Sequence, residues 1–151
     1  MKEINSISKG INYNAISLGS LCGLNDYVLT LSPEIQIPGK VFIGHELMCS
    51  GAEISFQVFE PGSETGFLHS HHTHEEIYIF IKGEGEFQVD GEIFAVGEGS
   101  VIRVSPSGKR SVRNNGNESL TMICIQYKSA PFGEEDAADA VILPEKVKWS
   151  K

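Results

Sequence analysis

The chain has 151 residues, 40% apolar and 21% charged, with 16 glycines, three cysteines and a formal net charge of -8. That length suits one hydrophobic core, which at this size buries roughly 70% of the surface an unfolded chain exposes. The negative balance argues against a nucleic-acid partner, because phosphate contacts need clustered Lys and Arg to displace counterions.

No stretch approaches the roughly 20 apolar residues of a membrane helix, and Met1 to Gly10 lacks the apolar core of a secretory signal. No membrane partner and a cytoplasmic location are therefore expected. Cys22, Cys49 and Cys124 are odd in number and lack C-x-x-C spacing, which reads as reduced, mostly buried thiols. Lys109, Arg110 and Arg113 form a small basic cluster that reads as solvent-facing, with one anionic ligand group as the alternative.

Residues 1–35 show no clean period and are predicted to form an N-terminal arm with one or two short strands, Asp26 to Leu31 among them. From Pro38-Gly39 onward, turn signals arrive about every 10 residues, at Pro61-Gly62, Gly83-Glu84-Gly85, Asp90-Gly91, Glu98-Gly99, Ser107-Gly108 and Asn115-Gly116. Many short strands with such punctuation predict a sandwich or barrel. Eight strands fall between the turns: Val41 to Met48, Ala52 to Phe59, Glu76 to Lys82, Gly85 to Val89, Glu92 to Val96, Ser100 to Val104, Ser111 to Asn114 and Leu120 to Lys128.

Asp90-Gly91 accepts the positive φ angles of a type I′ turn, so the strands on either side of it should pair antiparallel. Glu76 to Ile81 is apolar on both faces, with Ile77, Ile79 and Ile81 on one side and Tyr78 and Phe80 beside Glu76 on the other. Such a strand is covered twice, by a second sheet and either a subunit partner or the N-terminal arm, which suits a homodimeric double-sheet barrel. After Lys128 the tail is acidic, then apolar at Val141 to Leu143, where a short helix or added strand is predicted. The expected organisation is one domain over 1–151, with a core barrel at about 40–128, an arm at 1–35 and a tail at 129–151.

Four of the five histidines fall in the run His69-Ser70-His71-His72-Thr73-His74-Glu75-Glu76. His69 and His71 are two apart, so in an extended segment their side chains leave the same face about 6.6 Å apart at the backbone and can converge on one ion. Glu76 then opens the next strand in phase with Tyr78 and Phe80, which are expected to line the cavity. Two imidazoles and a carboxylate form the three-ligand facial set that suits non-haem Fe, Mn or catalytic Zn.

The run from His69 to Gly83 resembles the first motif of the cupin family: H-x-H, four residues, a glutamate, six residues, then glycine. The spacing selects Glu76 rather than Glu75. The leading glycine is displaced, Gly62 standing seven residues before His69 and Gly66 three. The second motif is matched by Gly99, Pro106, Gly108 and Asn115, with one extra residue before Pro106 and Ser111 in the place of its histidine. The resemblance covers about residues 50–128 and implies an all-β double-stranded β-helix, or jelly-roll barrel, with a metal inside.

On that resemblance His69, His71 and Glu76 hold a divalent metal, which could be Fe, Mn, Ni or Zn. His74 and Ser111 are candidate additional ligands, and Tyr78, Phe80 and Arg113 candidate pocket-lining residues. The loss of the fourth ligand weakens the site and opens the alternative of a metal-free cupin that binds a small molecule without turnover. The family's enzymes include dioxygenases, decarboxylases and isomerases, and no residue can be assigned a catalytic role. A sugar-phosphate isomerase ranks third, because only Arg113 and Arg103 could hold a phosphate.

Overall fold

The structure is a computed structural model that describes residues 2–128 together with Ala130 and Asp139, so the predicted element at Val141 to Leu143 lies outside the described residues. The predicted barrel is present. Twelve strands are described: β1 (Asn5–Lys9), β2 (Asn14–Ser17), β3 (Val28–Ser32), β4 (Ile35–Pro38), β5 (Lys40–Phe42), β6 (Ala52–Phe59), β7 (His74–Lys82), β8 (Glu84–Val89), β9 (Glu92–Gly97), β10 (Val101–Val104), β11 (Arg110–Arg113) and β12 (Leu120–Lys128). The main sheet runs β10-β7-β12-β6-β5, and a three-stranded sheet β11-β8-β9 faces it.

The two sheets close on a core of Phe59, Tyr78, Phe80, Phe87, Val96, Val104, Val112, Leu120, Met122 and Cys124. Period-2 alternation explains why β7 contributes Tyr78 and Phe80 to it and leaves Ile77, Ile79 and Ile81 half-buried on the outer face. The β8–β9 hairpin turns at Asp90 and Gly91, whose φ angles of 50° and 93° are those that only Asn, Asp and Gly adopt readily. Gly83 joins β7 to β8 at φ 82°, where a Cβ would stand 2.4 Å from the Ser119 carbonyl oxygen, so no side chain fits there.

A second cluster (Leu18, Leu24, Tyr27, Val41, Ile43 and Val58) seats the N-terminal segment against the outer face of β5 and β6, where Ile54 and Phe56 pack against it. The arm thus covers one end of the outer face. The strand predicted at Asp26 to Leu31 is β3, which pairs with β4 as a separate hairpin, and with β1 and β2 the segment holds more than the one or two strands expected.

The strand predicted over Val41 to Met48 is cut short. β5 ends at Phe42 and a helical turn, α1 (Gly44–Leu47), follows. Glu53 Oε1 accepts the Gly44 amide at 2.8 Å, in a gap that a Cβ on residue 44 would close, and Met48 ends the turn at φ 58°. This fixed cap outweighs the strand propensity of the apolar run. It also puts His45 on the exposed surface. Of the cysteines expected to be mostly buried, only Cys124 is; Cys22 and Cys49 are exposed.

Candidate metal centre

His69 and His71 lie on the segment leading into β7, which is pinned to the far wall of the barrel by its backbone. The amide of Arg110 donates to the His69 carbonyl at 3.0 Å, and the His71 amide to the Pro106 carbonyl at 2.8 Å. Both imidazoles thereby face Glu76 across the barrel mouth. His69 Nε2 lies 3.6 Å from Glu76 Oε2 and His71 Nε2 3.2 Å from Glu76 Oε1. One ligating atom from each of the three residues falls within 4.8 Å of the others.

Glu76 is 2% exposed and heavily partnered. Tyr78 donates its hydroxyl to Oε2, and Cys124 Sγ donates to Oε1 at 3.4 Å. Arg110 enters from β11, completely buried, with Nε donating to Oε2 at 2.9 Å and Nη2 2.8 Å from the same oxygen. Its Nη1 donates to the carbonyls of Gly108 at 2.7 Å and Pro106 at 3.3 Å, so the guanidinium is clamped from both ends. A planar fork with no acceptor of its own suits this task better than an ammonium would.

Burial pushes the Glu76 carboxyl up, but hydrogen bonds from His69 and Tyr78 and the charge of Arg110 outweigh it and hold the group ionised, well below the ordinary carboxylate range. Burial pushes the Cys124 thiol up, with the Glu76 charge adding to it, so this cysteine stays protonated and is not a nucleophile. The Tyr78 phenol is raised for the same reason, burial foremost. Burial also pulls His71 down, against the attraction of Glu76, leaving the neutral imidazole that a metal requires.

The donor set fits a divalent ion. His71 Nε2 and His69 Nδ1 are buried without a hydrogen-bond partner, and His71 Nε2 faces Glu76 Oε1 at 3.2 Å. Two ligands about 2.1 Å from one ion, at right angles, stand about 3.0 Å apart, close to this spacing. Glu76 would ligate through Oε1 alone, since Arg110 and Tyr78 hold Oε2. The guanidinium cancels the one negative charge of the set, which weakens the site for a cation.

The other predicted residues are distributed as follows. Tyr78 borders a cavity of about 690 Å³ that also contains His69, His71, Glu76 and Arg110, whereas Phe80 sits in the core below it. His74 is half-buried with its ring 5.9 Å from that of His71, and it does not join the three-donor group. Ser111 borders the cavity from a backbone phase opposite to Arg110 and Val112. Arg113 shares that outward phase; it pairs with Glu86 and lines a different surface hollow, which corrects its expected place in the cavity. Arg103 is on the outer face, bonded to Glu75, so the phosphate-isomerase reading loses both its arginines.

Sequence reasoning missed Arg110, set aside with its neighbours as a surface cluster. The signal was in the spacing. Arg110 precedes Asn114 by four residues, as the motif histidine precedes its asparagine, and Asn114 is the buried member, donating to the Phe59 and Glu118 carbonyls at 2.8 Å each. One residue more before Pro106 and one fewer after Gly108 shift the register, so the inward position belongs to Arg110 and not to Ser111.

A double-stranded β-helix with a His-His-Glu cluster at its mouth is the architecture of the cupins, and comparison with known proteins agrees. Residues 55–126 match the cupin domain family. It is similar to an uncharacterised protein of Methanocaldococcus jannaschii, 39% identical over 75 residues that cover 50% of this chain and 58% of that one. It also resembles an oxalate-binding protein of Thermotoga maritima, 34% identical over 65 residues, 43% of this chain and 53% of that one. The similarity thus spans little more than half the length of either curated relative. Among solved structures, a cupin protein from Bacteroides fragilis superposes with a TM-score of 0.65 at 28% identity, covering 76% of this chain and 94% of that one.

Proposed function

We propose that this single-domain cupin binds a small molecule in its barrel, beside a divalent metal held by His69, His71 and Glu76. The observation that carries the reading is the convergence of three ligating atoms within 4.8 Å, one of them a buried imidazole nitrogen without a partner. The cavity of about 690 Å³ lies in the range of ligand pockets. The relative described as oxalate-binding supports a small-molecule role for the scaffold. When bound, such an ion supplies Lewis-acid polarisation of a ligand oxygen. The chain itself fixes the carboxylate through Arg110 and Tyr78 and keeps His71 neutral.

Metal analysis of untagged protein, reloaded with Mn, Fe, Ni or Zn, tests this. About one ion per chain is expected, and none in the His69→Ala, His71→Ala double variant. A folded wild-type chain that takes up no ion would leave the second reading, a metal-free binder, which is favoured by the guanidinium already resting on Glu76.

The same reading includes a homodimer in the cytoplasm. Among the described residues no helix is long and apolar enough to cross a membrane. Ile79 faces Val101 on one side and Ile123 on the other, and Ile77 is opposite Ile125, giving the outer sheet face an apolar row beyond the reach of the arm. Val101 is 64% exposed there, which a subunit contact would cover. Val101→Arg should convert the dimer to monomer in sedimentation velocity; a wild-type chain already monomeric at high concentration rules the interface out.

A further inference from the structure

Beyond the His-His-Glu cluster the cavity has a second charged point. Lys40 projects from β5 into the same space, beside Gln57, its register partner on β6. Among the described residues no carboxylate lies within ion-pair distance of its ammonium, which stands over the Phe42 ring, 5.4 Å from the centroid. Of the other cavity charges, Arg110 and Glu76 neutralise each other. Glu60 and Glu64 stand exposed at the rim, and Glu60 already accepts from Asn25 and Ser119. Burial pulls the Lys40 ammonium down while the charge of Glu76 helps to hold its proton.

The wall next to Lys40 is apolar. The β3–β4 hairpin presents Leu29, Leu31, Ile35 and Ile37 to the cavity, with Leu31 60% and Ile35 51% exposed. A short two-stranded hairpin gains nothing by showing four aliphatic side chains to water on its cavity side. A ligand as small as a dicarboxylate of two carbons would leave most of about 690 Å³ unfilled and touch none of these.

We infer that the cavity takes an amphipathic anion, its acidic head held by Lys40 and Gln57 and its apolar body lying along the β3–β4 hairpin. The inference rests on the small-molecule reading of the same cavity and adds the chemical class of the ligand. It places the head at the β5 edge, on residues other than the three metal-ligand candidates. A charge-assisted contact in such a half-buried place outweighs the loss of hydration that a neutral head would suffer there.

The test uses the full chain and two fluorescent probes that differ by one anionic group, 1-anilinonaphthalene-8-sulfonate and the neutral N-phenyl-1-naphthylamine. The sulfonate should bind one per chain, be displaced by decanoate, weaken about tenfold or more in Lys40→Met and recover in Lys40→Arg. The neutral probe should bind both variants within about twofold of wild type. A Lys40→Met chain that binds the sulfonate as wild type does, a parallel loss of the neutral probe, or no sulfonate binding to wild type overturns the inference. The His69→Ala, His71→Ala variant separates the two readings: it should lose metal and keep the sulfonate. A chain that takes up metal but whose sulfonate binding shows no Lys40 dependence sinks only the ligand class.

Discussion

Arg110→Met is expected to destabilise the metal-free chain by about 3–5 kcal/mol at neutral pH, the usual cost of stripping one partner from a buried ion pair. Methionine fills much of the volume but leaves Glu76, 2% exposed, with an uncompensated charge and frees the buried Gly108 carbonyl. Glu76→Gln in the same background should recover a large part of the loss, because an amide is neutral and can still accept from Tyr78. The pH dependence has a definite sign. In wild type the Glu76 pKa is depressed, so its contribution is complete above the ordinary value of 4.5 and is lost as pH falls below it. In Arg110→Met the guanidinium no longer opposes burial while the His69 and Tyr78 contacts remain, so the pKa rises and the variant loses less than wild type as pH falls below 4.5. The gap between the two chains should therefore narrow on acidification. Denaturant titrations at pH 7 and pH 4 measure it, and a constant gap would mean that the guanidinium acts through packing rather than charge.

How far the molecule was legible from its sequence depended on which physical effect set each feature. Period-2 patterning and turn chemistry are local, so β6 and β12 have the predicted bounds and the Asp90-Gly91 turn adopts its expected backbone. The H-x-H and Glu76 spacing is likewise local, because one extended segment and the strand after it deliver all three groups. What could not be read locally came from contacts between distant residues. The α1 turn depends on Glu53 reaching back nine positions to the Gly44 amide. The burial of Arg110 depends on Glu76, 34 residues earlier, and in sequence it is one of three basic residues in a polar stretch. The register of β11 is the sharpest case: a shift of one residue exchanges the faces of a strand, so Ser111 and Arg110 trade places on the strength of a compensating insertion and deletion around Pro106-Ser107-Gly108. Lys40 was invisible for a similar reason, since it opens a three-residue strand at the sheet edge and meets the cavity through its pairing with Gln57 of β6.

Arg110→His should raise affinity for Zn or Ni by on the order of a hundredfold or more, because it changes two quantities in the same direction. The fixed positive charge beside Glu76 disappears, restoring one net negative charge to the donor set, and an imidazole is placed at the inward position four residues before Asn114. The metal-free variant should be less stable than wild type, since neutral histidine compensates Glu76 less than a guanidinium does. Metal should then return more stability than it does to wild type: about 2.7 kcal/mol when the free ion stands at 100 times the variant's Kd, against about 0.4 kcal/mol for a wild-type site a hundredfold weaker. Competition with a chelating dye gives the affinities, and thermal melts with and without metal give the linkage. If Arg110→His binds metal no better than wild type, the guanidinium is not what limits the site, and the three donors lack the geometry for an ion whatever charge surrounds them. If affinity rises while the metal-free chain melts lower, the arginine is identified as the residue that exchanges metal affinity for the stability of a metal-free barrel.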